Sequence, residues 1–296
     1  MFRFLYRQRR RLLFGGFFAA LGTFLFLSSN KAHLDVGVPW ITVVAIGLTI
    51  LICALVYMAI AAVYITLFPR WRQLVELFPL GFLLNGLAGM AFPTLLGPES
   101  ETVLGSLSFF AIWMLLYSLT YGTLLDRFPV TLDWTSQRSF TSDRSAEALW
   151  AELVPGEAPP EAHWDKLLRE FEADPEDPDS YELSYTHGVG LFQQQTITFL
   201  ERTPHTFAKY YFVSDVDPRN KALTEGTHSV RIDPRPDGSN RVTLHEENSA
   251  LLPRVALLMW FDDALGDCTD HIRAGHAGKR DWSMSGLYRR SVLALS

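Results

Sequence analysis

"RVTLHEENSALLPRVALLMWFDDALGD", residues 241–267, changes character halfway along. Its first part alternates polar and apolar side chains, the period of a strand with one face buried. Beyond Pro253 it runs from Val255 to Phe261 with no charged residue, then meets two aspartates. A bilayer crossing takes about 20 residues of helix, so this run is far too short to span one. On a helical wheel Leu258, Phe261, Leu265, Cys268 and Ile272 share one stripe, with Asp263, Asp267 and Asp270 on the other side. The stretch therefore predicts a last strand handing over, at a proline tolerated in a first helical turn, to one long amphipathic helix. A helix with such a stripe needs a sheet to bury it against.

Upstream, segments 181–187, 191–202, 205–214, 227–233 and 240–247 have strand character, separated by the turn signals HGVG, RTPH, DPRN and PRPDGSN. Short connections between consecutive strands imply an antiparallel sheet. PVTLDWTSQRSF supplies an earlier strand through Val130, Leu132 and Trp134. SAEALWAELV reads as a short helix capped by Ser142 or Asp143. The Pro- and acid-rich stretch that follows reads as a loop with one short helix at about 163–172.

This order, carried by SFTSDRSAEALWAEL (with Trp150) and by GSNRVTLHEENSA running into the final helix, resembles the START/polyketide-cyclase-like superfamily, the SRPBCC or helix-grip fold. The resemblance covers about residues 130–277 and implies a curved antiparallel sheet gripping the last helix around an apolar pocket. Members of that superfamily bind lipids, sterols, quinones or polyketides; many are carriers and some are enzymes.

The first half differs in kind. Residues 1–128 hold 9 Lys and Arg against 5 Asp and Glu, whereas residues 129–296 hold 17 against 27. Four uncharged segments, at about 12–29, 40–68, 77–98 and 102–125, are each expected to cross a membrane as a helix, with three crossings the main alternative because Pro79, Asn85, Gly86 and Pro93 make the third segment the least regular. The domains expected are thus an all-α membrane domain at 1–128, a soluble α+β helix-grip domain at 129–279, and a basic tail at 280–296. Arg3, Arg7, Arg9, Arg10 and Arg11 precede the first segment, Arg70 and Arg72 follow the second, and Arg127 follows the fourth. By the positive-inside rule both termini face the cytoplasm. Arginine outnumbers lysine, 21 to 5, which points to a bacterial inner membrane. Glu76 and Asp126 are expected at segment ends, within reach of water, and Gly15 and Gly16 at close helix contacts.

The acidic second half argues against nucleic acid as a partner. Cys53 and Cys268 lie in different halves and give no disulfide framework. There is no phosphate-cradling Gly-rich loop and no CxxC, and His271 and His276 are spaced wrongly for a metal pair on one helix face, so neither cofactor nor metal is expected. His245, Glu246 and Glu247 read as a solvated edge. The residues expected to line a pocket are Leu258, Phe261, Leu265 and Cys268 on the helix, with Tyr210, Tyr211 and Gln194 on strands. Three functions compete. One is a membrane-anchored binder of a lipid, isoprenoid or quinone-like molecule. Another is a structural or regulatory module that contacts a membrane-protein partner through the acidic helix face around Trp260. The last is a cyclase-type enzyme.

Overall fold

The computed structural model describes residues 2–29, 39–93, 103–128, 130–186, 192–214 and 223–293. The expected turns HGVG and DPRN, and the loops joining the first span to the second and the third to the fourth, lie outside the described residues. Two compact units result: residues Gln8–Leu125, and Met1–Arg7 together with Asp126–Ser296.

In the first unit, helices α2 (Arg9–Ser29), α3 (Pro39–Leu67), α4 (Leu74–Ala91) and α5 (Val103–Thr120) follow one another, while α1 (Phe2–Arg7) belongs to the other unit. Three stretches, Arg9–Ser28, Trp40–Leu67 and Leu74–Ala91, are long and apolar enough to cross a membrane. The expected fourth span is shorter than 102–125: its described apolar part is Leu107–Thr120. The helix stops there because the amides of Tyr121 and Gly122 both return to the Tyr117 carbonyl. The third helix ends at Ala91, short of the expected residue 98, because Pro93 disfavours helical backbone at Phe92.

Outward-facing Trp40, Val43, Phe82 and Phe110 leave this unit with an apolar exterior, as a lipid environment requires. Gly15 sits where a Cβ would come within 2.8 Å of Tyr57 and of the Val75 carbonyl, so the small residue sets that approach. Glu76 does not sit in water. It is 3% exposed, and it pairs with Arg11, itself fully buried, and accepts from the Tyr121 hydroxyl.

The second unit is built on one seven-stranded sheet. Its strands are β1 (Leu132–Ser142), β2 (Leu168–Ala173), β3 (Ser180–Thr186), β4 (Phe192–Thr203), β5 (Phe207–Ser214), β6 (Glu225–Pro234) and β7 (Asn240–Leu251). All neighbours are antiparallel, in the order β1-β7-β6-β5-β4-β3-β2. The PDGSN hairpin forms as expected, with Gly238 at φ +81° and Asp237 accepting from the Ser239 amide. One segment departs from expectation: residues 168–173 form β2, where a helix was expected. Leu, Arg and Glu favour helix only weakly, and pairing with β3 outweighs that preference while charged Arg169, Glu170 and Glu172 face outward on the sheet edge.

Helix α6 (Ala146–Leu153) is capped by Ser145, whose hydroxyl accepts from the Ala148 amide, rather than by Ser142 or Asp143. It buries Leu149, Trp150 and Leu153 on the sheet's inner face, against Ala208, Val230, Ile232, Val242 and Leu244. The single long C-terminal helix is in fact two. Helix α7 (Pro253–Asp262) ends at Asp263, whose φ of +49° is left-handed, and helix α8 (Ala264–His276) restarts in a new direction. A further helix, α9 (Met284–Leu293), occupies part of the expected basic tail. The buried Asp267 carboxylate accepts the Met284 and Ser285 amides at 2.8 Å each, capping it.

The opening residues belong to this unit too. Helix α1 (Phe2–Arg7) lies along α8: Arg7 pairs with Asp263 at 2.7 Å and with Asp270 at 2.8 Å, and Arg3 pairs with Asp270 at 2.9 Å. Arg138 of β1 completes the cluster on Asp263. Asp126, expected in water, is buried and paired with Arg254 at 2.9 Å.

Candidate functional site

Strand alternation divides the sheet into two faces, and the buried set Ala208, Phe212, Val230, Ile232, Val242 and Leu244 marks the inner one. The same parity turns Tyr210, His228 and Glu246 inward, and the register puts them side by side: Tyr210 opposite His228, His228 opposite Glu246, Glu246 opposite Ser136. A row of polar side chains therefore crosses the middle of the face that α8 covers.

Packing along this face is not uniform. Ala208, Val230 and Val242 are sealed at 0% exposure. One row further along, Tyr210, His228 and Glu246 keep part of their surface accessible, as do Tyr185 and Cys268 beside them. Tyr210 and His228 nevertheless lie deep in the body of the unit, where burial dominates their protonation. Tyr210, His228 and Glu246 are thus polar side chains of the inner face that stay partly accessible.

The Tyr210 and His228 rings stack at 5.3 Å with a 29° interplanar angle, and Phe199 meets Tyr210 edge-on at 5.6 Å. Asn248 donates to the Glu246 carboxylate at 2.7 Å. Burial, then the neighbouring Tyr185, Glu246 and Cys268, push the Tyr210 phenol well above its ordinary value. Burial also pulls His228 below its ordinary value, overcoming the opposite pull of Glu246. At neutral pH the row thus offers a phenol O–H and an uncharged imidazole, which can donate and accept at once. Such a set suits a hydroxyl or carbonyl on an otherwise apolar molecule. Among the described residues, no group of His, Cys, Asp and Glu could hold a metal ion.

Of the seven residues expected to line a pocket, the structure gathers three: Leu265 in the core, with Cys268 and Tyr210 packed against it. Phe261 is buried outside that core, and Leu258 is half-buried; both precede the break at Asp263, so their stripe does not continue into α8. Tyr211 faces the opposite side, where its hydroxyl donates to Glu225, and Gln194 is exposed on that side as well. Its neighbour Gln195 shares the inward parity, opposite Ser214. His228 went unrecognised and Glu246 was read as an edge residue, yet β7 lies between β1 and β6. The signal was present: His228 is in step with Val230 and Ile232, and Glu246 with Val242 and Leu244.

His271 and His276 each hydrogen-bond within the unit. His271 meets Asp281 at 2.6 Å, and His276 bridges Glu152 at 2.8 Å and Ser142 at 2.9 Å, tying α8 to α6 and β1.

An antiparallel sheet covered on one face by α6 and a C-terminal helix is consistent with a helix-grip fold. No family model matches the chain, and no curated protein matches it. Solved structures do. The Mll3558 protein of Rhizobium loti aligns at 14% identity over 49% of this chain and 98% of its own, with a TM-score of 0.39. The Zhui aromatase/cyclase of Streptomyces sp. R1128 aligns at 12% identity over 50% of this chain and 100% of its own, with a TM-score of 0.34. Ara h 8.0201 aligns at 12% identity over 55% of this chain and 99% of its own, also with a TM-score of 0.34. The fold assignment here rests on the strand order and helix placement described above.

Proposed function

We propose that this is a membrane-anchored carrier that takes a hydrophobic small molecule with a hydroxyl or carbonyl head, of the isoprenoid, quinone or lipid kind, into a hollow between sheet and α8. The observation that carries the reading is the inward row Tyr210–His228–Glu246, partly accessible in the middle of an otherwise buried face. Apolar walls would take the body of the ligand, and the stacked phenol and imidazole its polar head. The competing contact-module reading needs a free acidic helix face. That face is already occupied, because Asp263 and Asp270 are paired with arginines and Asp267 caps α9.

Tethering to the bilayer keeps such a pocket near a reservoir of apolar ligand. The seating of residues 2–7 on the C-terminal unit supports one membrane face for both, and hence an even number of crossings. With three long helices, α5 then makes the fourth. Arginines at the segment ends favour the cytoplasmic face.

The test is to purify the full chain in mild detergent and identify co-extracted small molecules by mass spectrometry. A molecule retained by the wild type and lost from His228→Phe and Tyr210→Phe is the expected result. A clean protein that also fails to bind added quinones, isoprenoid alcohols and sterols sinks the carrier reading.

A further inference from the structure

A concavity lies on the C-terminal unit, lined by none of the residues of the inward row. It is a groove of about 580 Å³ between α1, the C-terminal half of α8 and the segment leading to α9. Five cationic side chains, Arg3, Arg7, Arg273, Lys279 and Arg280, line it against three carboxylates, Asp267, Asp270 and Asp281.

Those carboxylates are already committed. Asp270 accepts from Arg3 and Arg7, Asp281 from His271, and Asp267 from two backbone amides of α9. On the cationic side, Arg280 rests on the Trp282 ring at 4.1 Å, and Arg273 and Lys279 form no ion pair among the described residues. Burial, and after it the charges of Arg3 and Arg7, pull Arg273 below its ordinary range against the opposite pull of Asp270. The groove thus has an excess of positive charge and room for an anion.

Its location restricts which anion. Arg7 is two residues before Arg9, where the first long apolar helix begins, so the groove's lining is continuous in sequence with a candidate span. Phe2 at 83% exposure and Trp282 at the rim are the aromatic side chains that favour the headgroup layer.

We propose that this groove binds the phosphate-bearing headgroup of an anionic phospholipid, with Arg273, Lys279 and Arg280 contacting the phosphate and Trp282 lying in the headgroup layer. Lipid binding here is independent of any ligand beneath the sheet. Its consequence is that lipid charge, through α1 and α8, sets how firmly the C-terminal unit rests on the bilayer.

The experiment uses the full chain in a neutral maltoside detergent, titrated with dioctanoyl phosphatidylglycerol, dioctanoyl phosphatidylcholine or inorganic phosphate and read by thermal shift. The wild type is expected to be stabilised by the phosphatidylglycerol alone. The double substitution R273Q/K279Q is expected to weaken that binding about thirtyfold, roughly fivefold for each basic group near the surface. K209Q, which removes one charge from the outer face of β5, should leave it unchanged. Should the double variant fold poorly, K279Q alone, at an exposed position, is expected to cost about fivefold. Equal response to the two lipids overturns the proposal, as does equal weakening by K209Q. Inorganic phosphate binding as tightly as the lipid would show a free-anion site and overturn the lipid assignment.

Discussion

Asp263 is the residue on which the C-terminal architecture turns, and replacing it by asparagine isolates its charge. Asparagine tolerates the left-handed backbone that Asp263 adopts at φ +49°, so the break between α7 and α8 should survive. What disappears is the anion shared by Arg7 and Arg138, on a side chain only 2% exposed. Stripping one partner from a buried ion pair costs about 3–5 kcal/mol. Here Arg7 keeps Asp270 at 2.8 Å, and Arg138 is 30% exposed and can recover water. The expected cost is therefore about 2 kcal/mol. At roughly 2–4 °C per kcal/mol for a unit of this size, the melting temperature should fall by about 4–8 °C. Asp263→Ala should be worse by a further 1–2 kcal/mol or so, because alanine pays for the left-handed backbone.

The pH dependence follows from the same pairs. Burial alone would raise the Asp263 carboxyl, but the hydrogen bonds and charges of Arg7 and Arg138 outweigh it and hold it below its ordinary value. A depressed carboxyl stabilises the fold above the unfolded-state value of about 4 and loses that contribution as pH falls through the folded value. The gap between wild type and Asp263→Asn should be constant near neutrality and close in acid. The assay is thermal unfolding of the full chain in detergent, across pH. A variant melting within a degree of wild type at pH 7, or an alanine variant no worse than asparagine, would refute the reasoning.

Other tests address separate parts of the molecule. Arg11→Met or Glu76→Met alone should destabilise the membrane unit by about 3–5 kcal/mol, while the double variant should recover much of the loss; simple additivity in thermal unfolding would dismiss the buried pair as a unit. His228 titrates below its unfolded value near 6.5, so it contributes stability above that pH that is lost as pH falls; His228→Asn should flatten this part of the stability–pH curve, and an unchanged slope would argue against a neutral His228. Gly226→Ala places a Cβ 2.0 Å from the Glu247 carbonyl oxygen. It should cost about 1–3 kcal/mol and speed amide exchange specifically between β6 and β7; exchange no faster than wild type would show that the strands can part without penalty.

Several features were legible from residue order because they depend on neighbours in sequence. The apolar character of the first three long helices, the PDGSN turn, the strand periods of β4 to β7 and the start of a helix at Pro253 are local properties, set by hydropathy, turn chemistry and backbone preference. The inner-face parity of His228 and Glu246 was equally present in the sequence. It was obscured because a polar residue in a strand reads as exposed until the strand's neighbours on both sides are known.

Other features depended on contacts between residues far apart in the chain, and no local rule could supply them. Residues 168–173 became a strand because β3 offered an edge to pair with. The apolar stripe from Leu258 to Ile272 predicted one straight helix, but Asp263 left the helical conformation in the presence of Arg7 and Arg138, which lie 256 and 125 residues away in sequence. Those same pairings made the acidic side of that helix the seat of the N-terminal helix. Hydropathy and periodicity thus determined which segments form the long apolar helices and the strands. Long-range charge pairing and strand registry, which only the tertiary structure brings together, decided where the C-terminal helix breaks, what covers its acidic face, and which polar side chains meet beneath the sheet.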